Sequence, residues 1–493
     1  MALTAAPAGA DEWRAEPGVR PTITYTDNVA LAAPGQEQSS LILGVTPRID
    51  FTGRGSRYTV TGRYELSGYF YSNAQNSSRY YSNLNLFGNV EAVKRFFFVE
   101  GGVNIFQNFI SPLGPITITD SLQTNNRTNT YVYRLNPYIQ STPGAETTYL
   151  LRWNNTWTDY SSSALRASYI ADVIGSVGRP SGPGRRYGWQ ADYNGSYVRY
   201  NNQDPYTLHL GRGILSYQVN PDLQVSARGG YEENNYAVGG YSGSIYGAGL
   251  EWRPTPRTNL NGFWEHRFFG ASYRANFQHR TRLTGWRLTG SRGITTSTQQ
   301  LALQSGIAAD VVDAALIGRI PDPVQRQQEV QKFIDQNGIP TTLTQPIVYF
   351  NNQILLQDRV EAAFSLFGGR NSLVFTAYWS DQEPITGAGT QLPALVSANQ
   401  DYTQRGASAN YTHRLTGTAS LSFLALRNHT QYRSAFIPGS TDYTIFRALF
   451  TARIGASTTW FTGVRYQWQD ASNPPYPNYR EAAIFGGLDY VLR

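Results

Sequence analysis

Arg57-Tyr-Thr-Val-Thr-Gly-Arg-Tyr-Glu-Leu-Ser-Gly-Tyr-Phe-Tyr71 decides how the rest of the chain is read. Tyr58, Val60, Gly62, Tyr64, Leu66, Gly68 and Phe70 share one parity. Arg57, Thr59, Thr61, Arg63, Glu65 and Ser67 share the other. Strict alternation of this kind is the period-2 signature of a strand with one apolar and one polar face. Strands of globular proteins average about five or six residues. A strand crossing a bilayer at a tilt needs about 9–11. The stretch is long enough to cross, and all its charges avoid the apolar face. An arginine on a lipid face at the midplane costs roughly 2–4 kcal/mol, so their placement favours a membrane strand.

The same unit repeats along the chain. Thr148 to Asp159 sets Tyr149, Leu151, Trp153 and Trp157 on one side. Leu223 to Tyr231 does so with Leu223, Val225, Ala227, Gly229 and Tyr231. Short turns, such as Gly53-Arg54-Gly55-Ser56, Lys94-Arg95, Pro221-Asp222 and Pro254-Thr255-Pro256-Arg257, alternate with longer polar loops. Outer-membrane barrels alternate periplasmic turns and external loops in this way. Tyr69, Tyr71, Tyr80, Tyr81, Phe96, Phe97 and Phe98 cluster near strand ends, where interfacial girdles sit. The expected fold is all-β: a transmembrane, antiparallel, up-and-down β-barrel of about 22 strands, within a range of about 18–24 by the usual boundary error. The first strand is read as ending at Pro21–Thr26. An even strand number places both termini in the periplasm.

Composition agrees. The 493 residues are 40% apolar and only 15% charged, well below the usual quarter for soluble domains. No linker divides them, so residues 1–493 read as a single barrel. There is no run of about 18 apolar residues for a spanning helix, which leaves a closed barrel as the other way to satisfy the backbone in lipid. Cysteine is absent, excluding disulfides and thiol chemistry. Residues Ala2 to Ala10 lack the basic and apolar regions of a signal peptide, so the chain reads as a mature form. The net charge is +7, and Lys94 and Lys332 are the only lysines.

Ser297 to Pro346 breaks the strand pattern. Ala308–Ile317 reads as one helix. A second starts at Asp322-Pro323, with Asp322 as N-cap, and stops at Asn337-Gly338. Val330, Phe333 and Ile334 give it an apolar stripe. Residues 297–346 are therefore expected to fold as a helical insert at the barrel mouth or in the lumen, entering from the external side. The end of the chain, with Gly487, Tyr490 and Leu492, resembles the assembly signal of a last barrel strand, although Arg493 stands where an aromatic residue is usual.

The spelling of several segments also resembles a known family. They are Thr24-Tyr25-Thr26-Asp27-Asn28-Val29, Val45-Thr46-Pro47, Gly230-Tyr231-Glu232, Trp252-Arg253-Pro254-Thr255-Pro256-Arg257-Thr258 and Arg267-Phe268-Phe269-Gly270. His279-Arg280-Thr281-Arg282, Ile320-Pro321-Asp322-Pro323 and Gln336-Asn337-Gly338-Ile339-Pro340 complete the set. Together they resemble the outer-membrane β-barrel family associated with PEP-CTERM/exosortase exopolysaccharide systems, over nearly the whole chain. The resemblance implies a Gram-negative outer-membrane barrel working beside exopolysaccharide production or protein sorting. It carries over no catalytic or binding residue.

No residue set points to catalysis. His209, His266, His279, His413 and His429 show no metal-ligand spacing and no serine motif beside them. No enzymatic activity and no cofactor are expected. The polar faces are more informative. The lumen-facing set reads as Arg57, Arg63, Arg152, Arg228, Arg253, Arg267, Arg274, Arg280 and Arg359, with Glu65, Glu251, Glu265 and Glu361. Either these residues form a positive lumen suited to anionic polysaccharide, or they brace the wall as Arg–Glu networks. Two functions follow: a pore or export channel, or a plugged structural barrel anchoring other envelope proteins or glycans. Expected partners are outer-membrane lipid and lipopolysaccharide, anionic polysaccharide and other envelope proteins, with no nucleic acid. A soluble propeller would need a blade-sized repeat, and none is present.

Overall fold

The computed structural model describes residues 12–492, apart from 74–77, 142–145, 164, 183, 237–239, 303–308, 310, 311, 314, 315, 317–322, 338, 340–343, 386–400, 434–437 and 473–477. The chain forms 22 long strands. The first six are β1 (Glu12–Thr26), β2 (Ser40–Arg54), β3 (Tyr58–Tyr71), β4 (Arg79–Val93), β5 (Phe97–Phe109) and β6 (Arg127–Gln140). Then come β7 (Thr148–Tyr160), β8 (Ser168–Arg179), β9 (Tyr187–Tyr200), β10 (Tyr206–Asn220) and β11 (Leu223–Asn234). The middle holds β12 (Tyr241–Thr255), β13 (Thr258–Arg267), β14 (Gly270–Arg280) and β15 (Thr284–Thr295). Two helices follow, α1 (Ser297–Ala302) and α2 (Pro323–Asn337). Strands resume with β16 (Leu355–Phe367), β17 (Asn371–Pro384), β18 (Tyr402–Arg414) and β19 (Ala419–Tyr432). The last are β20 (Gly439–Arg453), β21 (Thr458–Ala471) and β22 (Tyr479–Val491).

Consecutive strands pair antiparallel, β15 and β16 doing so across the insert. β1 also pairs with β22, with Tyr25 opposite Ile484 and Thr22 opposite Gly487. The sheet therefore closes and leaves no free edge, which the absence of water in a bilayer requires. Gly487 serves this seam: a Cβ there would come within 2.4 Å of the Pro21 carbonyl oxygen.

The alternation seen in the sequence becomes two surfaces. One parity of each strand points outward and leaves large apolar side chains exposed, including Ile23, Leu43, Leu66, Trp153, Leu215, Leu250, Trp379, Val464 and Ile484. A water-soluble protein would not leave so continuous an apolar surface bare; a barrel in lipid requires it. The other parity points inward and carries Thr, Asn, Gln, Ser and paired charges. Turns at one end are short, as at residues 55–57, 221–222 and 256–257. At the other end lie the long connections 27–39, 110–126 and 296–354. The exception there is the β13–β14 hairpin, where Gly270 takes φ 93° to close a two-residue link.

β1 ends at Thr26, as read from the sequence, and starts at Glu12. Pro17 and Pro21 sit within it, opposite Ile49 and Val45; a proline removes only its own donor from the ladder. Helix α1 was not expected, because its sequence lacks an apolar stripe. It is marked instead by a reciprocal cap: Gln299 N donates to Thr296 Oγ1 at 3.0 Å, and Thr296 N to Gln299 Oε1 at 3.0 Å. The helix expected over Ala308–Ile317 lies largely outside the described residues, although Ala309, Val312, Asp313 and Leu316 are helical. The Asp322 cap lies outside them too.

Candidate functional site

The lumen is the candidate site, and the chain's own loops occupy it. At the long-loop end, connection 110–126 folds inward. Leu113, Ile116 and Leu122 join Val29 and Leu31 of connection 27–39, together with the inward Ile42, Tyr402, Tyr432, Tyr443, Ile445 and Tyr479, in one buried apolar cluster. Polar side chains of the wall then staple this loop in place. Gln469 Oε1 accepts from Ile116 N at 2.9 Å, and Thr117 Oγ1 donates to Gln467 Oε1 at 3.1 Å. Tyr479 donates to the Ile116 carbonyl. Gln123 N donates to the Val29 carbonyl at 2.8 Å, joining the two loops.

One inward carboxylate organises the staple. Glu481, fully buried, accepts from Arg465 Nη2 at 2.8 Å, Gln467 Nε2 at 3.0 Å and Thr26 Oγ1 at 2.7 Å. Thr26 belongs to β1, so Glu481 also ties the closing seam. A buried carboxylate needs such compensation, because desolvating an ion costs several kcal/mol.

The insert crosses the lumen. At its two roots, Ser297 Oγ donates to the Asn351 carbonyl at 2.7 Å. Wall contacts come from widely separated strands: Asn108 of β5 to the Val348 carbonyl at 2.9 Å, Ser168 of β8 to Thr298 at 2.9 Å, and Ile347 N to Gln404 of β18 at 2.8 Å. Phe350 packs edge-on against Tyr160, centroids 4.8 Å apart. Tyr349 is fully buried, and burial pushes its phenol well above the ordinary range, so it stays neutral.

Helix α2 runs deeper. Val330 and Ile334, with Val312 and Ile339, pack on Ala363, Phe367 and Val374. Phe367 is the last residue of β16, so α2 reaches the short-turn half of the barrel. Its C-terminal Asn337 accepts from Thr412 Oγ1 at 2.8 Å, and the Asn337 carbonyl from Asn410 Nδ2 at 3.4 Å. The apolar stripe expected from Val330, Phe333 and Ile334 thus meets the wall of β16 and β17. On the opposite wall, Asn83, Asn85 and Phe87 of β4 point inward and remain exposed.

The residues picked from sequence as lumen-facing occupy distinct settings. Arg63 bonds Asp50 at 2.5 Å, Arg228 bonds Glu265 at 3.1 Å, and Arg267 bonds Glu232 at 2.6 Å. Arg152 pairs with Glu100, Arg253 with Glu251 and Arg359 with Glu361. Glu265 also accepts both oxygens' worth of bonds from Arg212, at 3.0 Å each. Glu65 lies opposite Arg48 across β2–β3. Arg57 stands in the β2–β3 turn and is exposed, outside any strand. Arg274 and Arg280 lie on β14 and hold no acid among the described residues. The partners Asp50, Glu100, Arg212, Glu232 and Glu481 escaped sequence reading, because a cross-strand pair is visible only once register is known.

The five histidines all lie on the outward parity. His209 meets the Tyr193 hydroxyl at 2.8 Å, His279 meets Thr258 at 2.8 Å, and His429 meets Asp442 at 3.1 Å. His413 meets Asn371 at 2.6 Å, and His266 stacks on Tyr246. No group of three metal-binding side chains occurs among the described residues.

No family model and no curated protein matches this chain. Among solved structures, it is similar to the FrpB iron transporter from Neisseria meningitidis, at 8% identity and a TM-score of 0.49, over 98% of this chain and 82% of that one. The siderophore receptor PirA from Acinetobacter baumannii matches at 8% identity and 0.47, over 97% and 80%. A loop-deletion mutant of OmpT, an outer membrane protein of Vibrio cholerae, matches at 8% identity and 0.33, over 98% and 100%. These likenesses are distant, and the fold stands on its own pairing and outward apolar face: a closed 22-stranded barrel of the outer-membrane type.

Proposed function

We propose that this protein is a plugged channel of the Gram-negative outer membrane, closed in this state by its own insert and serving export of a hydrophilic polymer. By barrel convention the short-turn end faces the periplasm and the long-loop end faces outward. The observation that carries the reading is the seating of residues 297–302, 323–337 and 344–354 inside the lumen, held by polar staples and small apolar clusters. A neutral hydrogen bond contributes only about 1 kcal/mol net, so such a plug can be displaced without unfolding the wall. The segments resembling the PEP-CTERM/exosortase-associated family support an exopolysaccharide as the cargo. Most inward arginines hold carboxylates, which argues for a braced, near-neutral lumen over a strongly cationic one.

Planar-bilayer recording tests this reading. The intact protein should conduct rarely or not at all. Replacing residues 297–346 by a short Gly-Ser linker should give frequent openings. A variant that inserts, folds and stays silent would favour the other reading, a permanent structural plug.

A further inference from the structure

The outward surface carries a feature that the channel reading leaves unused. Tyr133, Trp157, Tyr169 and Arg199 are direct register partners across β6, β7, β8 and β9. They form one continuous row on the lipid side, three aromatic rings ending on a guanidinium. Trp157 and Tyr169 stack with centroids 5.3 Å apart, and the Tyr169 hydroxyl donates to Asn155 at 2.8 Å, which fixes the ring. The row floors a shallow outward recess of about 460 Å³, rimmed by Asp159, Ala167 and Asn201.

Three facts point to the occupant. First, the row lies near the long-loop end: Trp157 is three residues from the end of β7, and Arg199 is penultimate in β9. Second, the outward surface is asymmetric in charge. The short-turn end shows Trp13, Tyr187, Trp252, Trp460 and Tyr490. The long-loop end shows Asp159, Arg199, Glu233, Arg405, Arg427 and Arg480. Third, Arg199 lines the recess and, like the outward Arg405 and Arg480, holds no acid among the described residues, whereas the outward Arg292, Arg427 and Arg433 are paired with Asp358, Asp442 and Asp381. Asp159 is engaged by the Tyr160 N–H at 2.8 Å. A flat aromatic shelf accepts the apolar face of a sugar or the root of an acyl chain, while a guanidinium takes phosphate by paired N–H donors. An interfacial girdle alone would supply the rings but not the recess with an arginine in its lining.

We infer that the Tyr133–Trp157–Tyr169–Arg199 row binds the phosphorylated glycolipid headgroup of the outer leaflet, with Arg199 on phosphate and the rings against sugar and proximal acyl chain. The inference rests on the outer-membrane placement proposed above, but not on the plug.

Native mass spectrometry of the detergent-solubilised barrel, titrated with diphosphoryl lipid A or with phosphatidylglycerol, tests it. Lipid A should bind the intact protein. Arg199→Ala and Trp157→Ala should each weaken it about tenfold or more, while Arg427→Ala should not. Equal lipid A binding by Arg199→Ala would overturn the site. So would equal affinity for phosphatidylglycerol with the same sensitivity, which would mark a general anionic-lipid contact. Loss of a dimer in Trp157→Ala would overturn it in favour of a second copy of this chain. All variants should keep the folded barrel's resistance to mild detergent heating. If the wild-type protein fails that check, the placement itself fails, a different result from loss of binding.

Discussion

Glu481→Ala should destabilise the barrel by about 3–5 kcal/mol, the cost of leaving one member of a buried ion pair uncompensated. Arg465 is nearly as buried as its partner, with 6% of its side chain exposed, and its guanidinium has three bonds to the carboxylate. Removing the carboxylate strands that charge beside Arg447, which is also inward on the neighbouring strand. It also frees Gln467, which holds Thr117 of the inward loop, and Thr26 at the seam. Urea unfolding of the refolded barrel, followed by tryptophan fluorescence, measures the loss. Arg465→Met/Glu481→Leu should recover much of it, because replacing both partners removes the uncompensated charge. A single variant as stable as wild type would show that the loop, not the ion pair, holds this end together.

Val464→Arg should cost about 2–4 kcal/mol in the same assay, while Asn83→Arg should stay within about 0.5 kcal/mol. Val464 is the midpoint of β21 and is 52% exposed on the outward side. An arginine there sits at the depth where lipid offers neither water nor a partner. Asn83 is exposed as well, yet on the inward parity of β4 and opposite Glu65. An arginine at that position meets water and a carboxylate. Both sites are accessible, and only the solvent they face differs. Reversed costs would mean that the two faces have been exchanged. Equal costs would mean a molecule bathed by water on both sides.

The strands were legible because lipid makes one face uniformly apolar. In β3, Val60, Leu66 and Phe70 needed no tertiary information to be sorted from Arg63 and Glu65. The strand count of about 22 followed from counting such units. The plug was legible only as an interruption. Thr130, Gln404, Gln467 and Asn428 are fully or almost fully buried, yet a polar residue facing a polar loop reads the same as one facing water. Tyrosine is ambiguous for the same reason. Tyr402, Tyr432, Tyr443 and Tyr479 seal the lumen, while Tyr25, Tyr231 and Tyr246 face outward. The ion pairs were hidden by distance along the chain: Arg152 and Glu100 are 52 residues apart, and only strand register brings them together. Helix α2 was marked by Pro323 and its apolar stripe, but nothing in that stripe says which wall it meets.

The chain contains no cysteine, so an introduced pair reports one contact without background. The C-terminus of α2 lies deep in the lumen, with the side chains of Asn337 and Thr412 touching at 2.8 Å. In isolated outer membranes, mild oxidation of Asn337→Cys/Thr412→Cys should form an intramolecular disulfide in most molecules, and Asn337→Cys/Asn83→Cys should form none. Efficient cross-linking of the first pair alone would place the insert inside the barrel against β18. Failure of that pair in a folded, membrane-inserted protein, or comparable reaction of both pairs, would contradict the plugged lumen.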